Sequence, residues 1–273
     1  MIAASRIGVC TWIFGAMPLQ KMAADLARMG FGGVELRADY EKDSPAEINE
    51  IFGDWGLAIF SLTPMDVDLS HPEAKRRHSA IAAYDRLLDF AAALEDEPYV
   101  CIHGRVGRIR AQQSAEEESE LLVESVSQIA EMAATRRLRL VFEVLNRYES
   151  HQVVNCSQAL QLLADVGALN LGILLDAYHM NIEESDPVAA IHEAGAALWL
   201  YHCADSNRRG LGFGHTDWRA QLAALAEIGY RGPLILECTA VGPDPFTPIK
   251  SGDWRGQLCE DLRLSLQRLT ASE

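Results

Sequence analysis

Four ionisable side chains stand out because each lies within, or directly after, a nearly uninterrupted apolar run: Glu143, Asp176, His202 and Glu237. A carboxylate in apolar surroundings is costly unless it is paired or bound to a metal, and three converging carboxylates would also repel one another. A divalent cation would relieve both problems, because it supplies the largest local positive charge. Three oxygen donors and one imidazole suit Mn²⁺, Co²⁺ or Mg²⁺ better than a thiolate-type zinc site. Each residue alone is compatible with a hydrogen-bonded core group, but the four together predict a metal centre.

The elements that would bring these residues together appear as an alternation along the chain. Short runs rich in β-formers precede longer runs of helical period, again and again. The strand candidates are residues 6–12, 33–37, 57–63, 99–103, 138–145, 171–176, 198–203 and 233–238. The helix candidates lie near residues 19–29, 45–55, 72–94, 115–136, 156–166, 186–195, 217–228 and 254–270. Pro18 suits a first helical position, Gly30 the position just past a helix end, and Asn155 and Asp217 helix N-caps.

Eight β/α units in about 250 residues predict a closed parallel (β/α)₈ TIM barrel. No linker rich in Pro, Gly or Ser interrupts the chain, so residues 1–273 are expected to form one domain. The alternative is an open doubly wound sheet, which is disfavoured because no GxGxxG motif follows the first strand. In such a barrel the active site lies at the carboxyl ends of the strands, and the four residues fall on strands 5 to 8.

Three longer strings around these positions are distinctive. They are Glu143-Val-Leu-Asn-Arg-Tyr-Glu149, Asp176-Ala-Tyr-His-Met-Asn-Ile-Glu-Glu184, and the segment from His202 that continues into Ser206-Asn207-Arg208. They resemble the ketose 3-epimerases that act on D-tagatose, D-psicose or L-ribulose. These enzymes belong to the sugar isomerase/epimerase superfamily, which has a xylose-isomerase-like TIM barrel. The superfamily resemblance covers nearly the whole chain, and the epimerase-like strings occupy mainly residues 140–240.

The resemblance implies a role for each of the matching residues. The metal ligands are Glu143, Asp176, His202 and Glu237, and the single divalent ion is first Mn²⁺, with Co²⁺ or Mg²⁺ as alternatives and no organic cofactor. Glu143 and Glu237 also form a catalytic acid/base pair on opposite faces of the substrate. Glu149, His179 and Arg208 hold substrate oxygens. The implied reaction is 3-epimerisation or isomerisation of an unphosphorylated sugar, in which a proton next to a carbonyl is removed and an enediolate forms.

Further residues at predicted strand ends are candidates for the substrate site. Trp12 ends strand 1, where its ring could stack on the apolar face of a sugar or pack in the core. His103 ends strand 4 and could line the pocket, hydrogen-bond a ligand carboxylate or serve a structural role. Glu35 ends strand 2, where lining of the pocket and a salt bridge to Arg37 or a neighbouring strand are equally compatible with the sequence.

Other functions remain as alternatives. A lyase that eliminates water or an aglycone next to a ketone, as inosose dehydratases and 3-keto-glycoside-cleaving relatives do, would begin with the same proton abstraction. The segment 204–218 is similar to uncharacterised members of the superfamily as much as to the named epimerases, so the sugar or polyol stays open. A nuclease resembling endonuclease IV is disfavoured, because it needs more metal ligands and a basic face. An intact acid/base pair argues against a non-catalytic sugar-binding subunit.

The composition of the chain limits the classes of molecule that it is expected to bind. The formal net charge of −15 opposes nucleic acid, whose affinity comes largely from Lys and Arg. No apolar stretch reaches the roughly 18 residues of a membrane helix, and the N-terminus lacks the pattern of a secretory signal. Six scattered cysteines without a CxxC pair indicate reduced thiols in a cytoplasmic protein. The expected partner is a small-molecule sugar, and a homo-oligomer, dimer or tetramer, stays open.

Overall fold

Eight parallel strands close into a barrel in the computed structural model, which describes residues 3–240 and 246–271. The strands are β1 Ile7–Cys10, β2 Gly33–Leu36, β3 Ala58–Leu62, β4 Tyr99–Ile102, β5 Leu140–Glu143, β6 Leu171–Asp176, β7 Leu198–Cys203 and β8 Leu234–Leu236. They follow one another around the barrel in chain order, and β8 pairs with β1 to complete the circle. The fold class predicted from the sequence is confirmed.

Helices alternate with the strands. They are α1 Leu19–Met29, α2 Pro45–Gly53, α3 Ala74–Ala92, α4 Ala115–Thr135, α5 Cys156–Val166, α6 Ala177–Glu183, α7 Pro187–Ala194, α8 Trp218–Glu227 and α9 Trp254–Thr270. Every residue of β5 and β6 is buried, as expected for strands of a parallel barrel that are covered on both faces. Within the described ranges, no helix is both long and apolar enough to cross a membrane.

The helix boundaries confirm three of the four predicted capping residues. Gly30 takes the left-handed conformation at the end of α1, with a φ of 91°. Asn155 and Asp217 accept hydrogen bonds on Oδ1 from the backbone N–H groups of Gln158 and Ala220, at 2.9 and 3.0 Å. The prediction for Pro18 is wrong by one position, because Pro18 precedes the first helical residue and supplies the carbonyl that accepts from Lys21 and Met22.

Two differences from the predicted elements affect the site. The strand predicted over 6–12 ends at Cys10, because Thr11–Phe14 turns into a short 3₁₀ helix that carries Trp12. Helix α6 follows β6 directly and was not predicted. It begins there because Asp176 Oδ1 accepts a hydrogen bond from the backbone N–H of Tyr178 at 2.8 Å, which caps the helix. The cap places His179 one turn beyond the strand end.

Strand register brings the chemically capable residues to one rim. Asp176 on β6 pairs directly with His202 on β7, and Glu143 on β5 pairs with Leu174 of β6. Glu237 follows the last residue of β8. These side chains therefore meet at the carboxyl end of the barrel, where parallel barrels place their active sites.

Candidate functional site

Glu143, Asp176, His202 and Glu237 converge as a compact, buried set. Each offers one oxygen or nitrogen atom, and these atoms all lie within 4.8 Å of one another. His202 Nδ1 lies 3.7 Å from Glu143 Oε1 and 3.6 Å from Glu237 Oε2. The imidazole nitrogen is thus flanked by two carboxylates that come from different strands. The four side chains form the only such group among the described residues that combines three carboxylates with a histidine.

The atoms at the centre of this set have the properties of metal ligands. Asp176 Oδ2 and His202 Nδ1 are buried and find no hydrogen-bond partner within the described part of the chain. Burial and the charges of nearby carboxylates raise the pKa of Glu143 well above its usual value, and they raise the pKa of Asp176 to about 7. Crowded carboxylates with orphaned atoms fit a divalent cation with oxygen and nitrogen ligands, because its charge would remove their repulsion.

Cys10 offers a second combination, since its Sγ lies near His202 and Glu237. Burial, and then the charge of Glu35, raise the pKa of this thiol well above its usual value. Cys10 Sγ is 3.5 Å from Glu35 Oε1 and donates to it. A metal ligand must be the thiolate, and a thiol has a higher ordinary pKa than a carboxyl group, so Cys10 is less suited to the role than the three carboxylates.

Arg208 lies beside the metal-ligand set and is itself buried. Its Nη2 donates to Glu237 Oε2 at 3.1 Å, and its Nη1 donates to Glu149 Oε1 at 3.0 Å. Although burial opposes it, the positive charges of Arg208 and His202 hold the pKa of Glu237 well below its usual range. The guanidinium also lies 4.7 Å from the ring centre of Tyr178 and 5.2 Å from that of Phe246. Arg208 is therefore held by ion pairs with two carboxylates and by contacts with two aromatic rings.

The loop that carries Arg208 is organised by Asp205. Asp205 Oδ1 accepts from the backbone N–H groups of Ser206 and Thr216, and Oδ2 accepts from the N–H of Gly212 and from Trp218 Nε1. These four donors lower the pKa of Asp205 to about 2, although burial acts in the opposite direction. Arg208 has a φ of 59°, and its backbone N–H donates to the Asp205 carbonyl at 2.7 Å. The loop thus holds Arg208 in a backbone conformation that is rare for residues other than glycine.

Trp12 reaches the same site from the end of β1, which pairs with β8 beside Glu237. Its Nε1 donates to Glu237 Oε1 at 3.0 Å, and its ring stacks on Phe246 with centroids 5.7 Å apart and an interplanar angle of 19°. The sequence is compatible with both a stacking role and a packing role for Trp12. The structure places Trp12 half-buried in the wall of the site, where it orients one of the predicted acid/base carboxylates.

His103 and His179 are both buried, and each has one ring nitrogen that makes no hydrogen bond among the described residues: Nδ1 of His103, and Nε2 of His179, which lies 3.5 Å from Asp176 Oδ2. Burial lowers the pKa of His103 and, with the charge of Arg208, lowers that of His179 well below its usual value. Both imidazoles are therefore neutral near pH 7. A neutral imidazole with an unused nitrogen can hydrogen-bond a substrate oxygen.

A cavity of about 400 Å³ opens over the metal-ligand set. All seven residues predicted to be catalytic or substrate-binding line it: Trp12, His103, Glu143, Glu149, His179, Arg208 and Glu237. The opposite wall comes from the loops after β2, β3 and β4, including Tyr40, Met65 and Val106. The volume is typical of a small-molecule site. Asp176 and His202 do not line the cavity and lie beneath it, and the roles of all these residues remain predictions.

The role of Glu35 could not be decided from the sequence, and the structure shows where its side chain lies. Its side chain does not line the cavity and does not pair with Arg37, but accepts a hydrogen bond on Oε2 from His202 Nε2 at 2.9 Å. It was recognisable in principle, because it is a carboxylate at the end of an apolar strand, like the ligands themselves. Its partner could not be read from the sequence, since 167 residues separate Glu35 from His202.

Comparison with known proteins agrees with this geometry. The family model for the xylose isomerase-like TIM barrel matches residues 23–258. The chain belongs to this family. Among its relatives in the family, a D-psicose 3-epimerase of Agrobacterium fabrum strain C58 is 30% identical over 226 residues, which span 78% of this chain and 76% of the relative. An L-ribulose 3-epimerase of Mesorhizobium japonicum is 25% identical over 270 residues, or 96% of this chain and 91% of the relative.

The xylose isomerase-like barrel of this chain also resembles solved structures over nearly its whole length. A crystal structure of D-psicose 3-epimerase in the presence of D-fructose superposes with a TM-score of 0.83 at 27% identity, covering 97% of this chain and 98% of that one. The resemblance inferred from residues 143–149, 176–184 and 202–208 is confirmed. Because the relatives are epimerases, this family member is an enzyme of the isomerase class.

Proposed function

We propose that this family member is a metal-dependent ketose 3-epimerase or sugar isomerase that acts on an unphosphorylated sugar. The observation that carries the proposal is the placement of Glu143 and Glu237 on either side of His202, at the base of a cavity of sugar size. Two carboxylates that approach one substrate from different sides can remove a proton from one face of a carbon and return it to the other.

The proposed metal is one divalent ion, with Mn²⁺ the first candidate, held by Glu143, Asp176, His202 and Glu237. When bound, such an ion polarises a substrate carbonyl and acidifies the neighbouring C–H. The oxygen-rich donor set supports Mn²⁺, Co²⁺ or Mg²⁺.

Glu143 and Glu237 have different surroundings. This difference suits an acid/base pair that acts on opposite faces of one substrate carbon. Trp12 Nε1 and Arg208 Nη2 donate to Glu237, whereas Glu143 accepts no hydrogen bond among the described residues and has only His202 Nδ1 at 3.7 Å from its Oε1 as an ion-pair contact there. One glutamate takes the proton from the carbon next to the carbonyl, which leaves an enediolate, and the other gives a proton to the opposite face. Each carboxylate acts as base in one direction of the reaction and as acid in the other.

The remaining cavity residues are proposed to orient the sugar. Glu149, His179, Arg208 and His103 offer acceptors and donors for hydroxyl and carbonyl oxygens, and Trp12 offers an aromatic surface beside Glu237. Arg208 is already neutralised by Glu149 and Glu237. A phosphate group would have to compete with these carboxylates, which supports an unphosphorylated substrate. We place the enzyme in the cytoplasm, since all six cysteines are free thiols.

The decisive experiment incubates the Mn²⁺-loaded protein with a panel of ketoses in D₂O and follows the products by NMR. Deuterium at C3 with inverted configuration identifies an epimerase, and deuterium at C1 or C2 identifies an isomerase. An elimination product would identify the lyase alternative and overturn the proposal. Chelated protein and the Glu237→Gln variant serve as controls, and absence of exchange with every sugar tested would also contradict the assignment.

A further inference from the structure

We propose that Glu35 is a positioning residue that fixes the tautomer and orientation of His202 and thereby sets the affinity of the site for its divalent metal. The inference rests on the proposed metal centre and extends it to a residue that does not line the cavity and is not one of the four proposed ligands. The proposal concerns how His202 is oriented for metal binding, and it does not depend on which sugar is the substrate.

Glu35 is fully buried and surrounded by donors from several strands. Its Oε2 accepts from His202 Nε2 at 2.9 Å and from Ser61 Oγ at 2.8 Å, and its Oε1 accepts from Thr63 Oγ1 at 3.2 Å. The thiols of Cys10 and Cys101 lie 3.5 and 3.7 Å from its two oxygens. The carboxylate is thus held by β1, β3 and β4 and presents one oxygen to β7 across the barrel.

This contact decides which nitrogen of His202 faces the metal-ligand set. An ionised carboxylate only accepts hydrogen bonds, so the nitrogen that meets Glu35 must carry a proton. Nε2 is that nitrogen, so when His202 is neutral, as a metal-bound histidine must be, Nδ1 holds the free lone pair between Glu143 and Glu237. In the other tautomer the Nε2 lone pair would face a buried carboxylate, and Nδ1 would present a hydrogen to the metal position. Glu35 therefore selects the ligating form of the ring.

The surroundings of Glu35 argue that its role is directed at His202. A buried carboxylate costs stability unless it is well compensated, and replacing it with an apolar residue often costs little when the partners are replaced too. Although burial opposes it, the charge and hydrogen bond of His202, more than the hydrogen bond of Ser61, hold the pKa of Glu35 below its usual value. His202 has no other hydrogen-bond partner on either ring nitrogen among the described residues. The two side chains are therefore coupled, as in metal sites where a carboxylate orients a ligating imidazole.

The test compares Mn²⁺ binding by the unmodified protein, Glu35→Gln and Glu35→Asp, measured from the EPR signal of free Mn²⁺ during titration of the metal-free chain. We expect Glu35→Gln to weaken Mn²⁺ binding about 10- to 100-fold, the usual cost of losing a residue that orients a ligand. Glu35→Asp should fall between the two. At saturating Mn²⁺ the KM for a sugar should change little, because Glu35 does not line the cavity, while kcat falls.

Glu118→Gln provides a matched control. Glu118 is also fully buried, and its Oε2 contacts a histidine, His151, with Nε2 at 2.9 Å, but neither belongs to the metal-ligand set. This variant should bind Mn²⁺ as the unmodified chain does. Unchanged Mn²⁺ binding in a folded Glu35→Gln protein would overturn the role of Glu35 alone. Failure of the unmodified chain to bind Mn²⁺ would overturn the metal centre itself, and with it this proposal.

A second measurement needs no variant and so does not depend on one folding. In the chain loaded with diamagnetic Mg²⁺ and labelled with ¹⁵N-histidine, the ring of His202 should show a protonated Nε2 in slow exchange with water and an unprotonated Nδ1. A spectrum with the proton on Nδ1 would overturn the proposal, because Glu35 would then not be the acceptor of the Nε2 proton.

Discussion

The side-chain amide of Asn146 donates a hydrogen bond to Nδ1 of His179 over 2.7 Å. The orientation of this amide is fixed, because Asn146 Oδ1 accepts from the backbone N–H of Tyr148 at 2.9 Å. Nδ1 of His179 is therefore the acceptor, and Nε2 of the neutral ring carries the proton. That N–H makes no hydrogen bond among the described residues, although Asp176 Oδ2 lies 3.5 Å from Nε2, and His179 lines the cavity. Asn146 thus orients the Nε2–H of His179 as a donor, and we predict that it donates to an oxygen of the substrate.

The first prediction follows from this pair. Asn146→Ala should lower kcat/KM about 10- to 100-fold, because His179 loses the partner that fixes its tautomer, which corresponds to about 1–3 kcal/mol. Steady-state kinetics on the true substrate measures the effect. Asn155→Ala is the control. Asn155 caps α5, so its loss should cost about 1 kcal/mol of stability and leave kcat/KM unchanged. Equal kinetics for the two variants would show that His179 needs no orienting partner.

The second prediction concerns the two glutamates. Glu143→Gln and Glu237→Gln each keep an oxygen that can bind a metal but lose the proton acceptor, so each should retain substantial metal and lose at least about 10²-fold in turnover. Metal content by mass spectrometry and turnover by NMR separate the two effects.

The same variants should differ in proton exchange. One should still exchange the substrate proton with D₂O when the reaction starts from one epimer but not from the other, because each carboxylate serves one face. Near wild-type turnover in both metal-loaded variants would mean that another base is used, and His179 and His103 would be examined next.

The third prediction separates the shape of Arg208 from its charge. A lysine keeps the charge but cannot reach Glu149 and Glu237 at once while lying against the rings of Tyr178 and Phe246. Arg208→Lys should therefore reduce kcat/KM at least about 10-fold, in line with loss of a charge-assisted hydrogen bond. Arg209→Lys, on the same loop but paired with Asp261, should have little effect. If both variants behave alike, Arg208 does not orient the substrate.

The fourth prediction is a pH dependence of stability. Hydrogen bonds hold the pKa of Asp205 at about 2, below its ordinary value of 3.8. A carboxylate with a lowered pKa stabilises the fold above its unfolded pKa, and this contribution is lost as pH falls through the folded pKa. Asp205→Asn should therefore destabilise the protein by about 2 kcal/mol at pH 7, and the difference should shrink between about pH 4 and pH 2.

Denaturant unfolding at a series of pH values measures this difference. Asp217→Asn is the matched control, because asparagine caps a helix as well as aspartate does. A stability difference for Asp205→Asn that stays constant down to pH 2 would show that the ionised carboxylate is not what organises the loop.

The fifth prediction concerns removal of metal. Chelation should abolish turnover and lower Tm, and added Mn²⁺ should restore both, since it relieves the repulsion among Glu143, Asp176 and Glu237. At a free Mn²⁺ concentration 100 times Kd, the free energy of unfolding should rise by about 2.7 kcal/mol. His202→Ala should show a much smaller Mn²⁺-dependent shift in Tm. A shift of the same size in both proteins would place the stabilising ion elsewhere.

The barrel and the ligand set could be predicted from the sequence because both depend on local patterns. Alternating runs define the β/α units, and an acidic residue at the end of an apolar run, as at Asp176, is conspicuous. Helix α6 was not predicted, because it has only seven residues and follows β6 with no intervening loop. Its first turn forms because the side chain of Asp176 itself caps it.

Contacts between distant strands could not be predicted. The bond from His202 to Glu35 depends on which strands face each other across the barrel interior, and the sequence carries no signal for that distance. The left-handed backbone of Arg208 is equally invisible, because its cause is a loop closed around Asp205 through donors as far away as Trp218. Local propensity does not report such long-range closure.

The proposed ligands and the cavity wall that faces them come from different halves of the chain. The proposed ligands come from β5 to β8, whereas the cavity wall that faces them comes from loops after β2 to β4, with Tyr40, Met65 and Val106 among its residues. These three side chains make no hydrogen bond to the ligands. The proposed ligands and this part of the cavity wall thus come from separate stretches of the chain. Substitutions at Tyr40, Met65 and Val106 can therefore reshape one side of the cavity and leave all four proposed ligands in place.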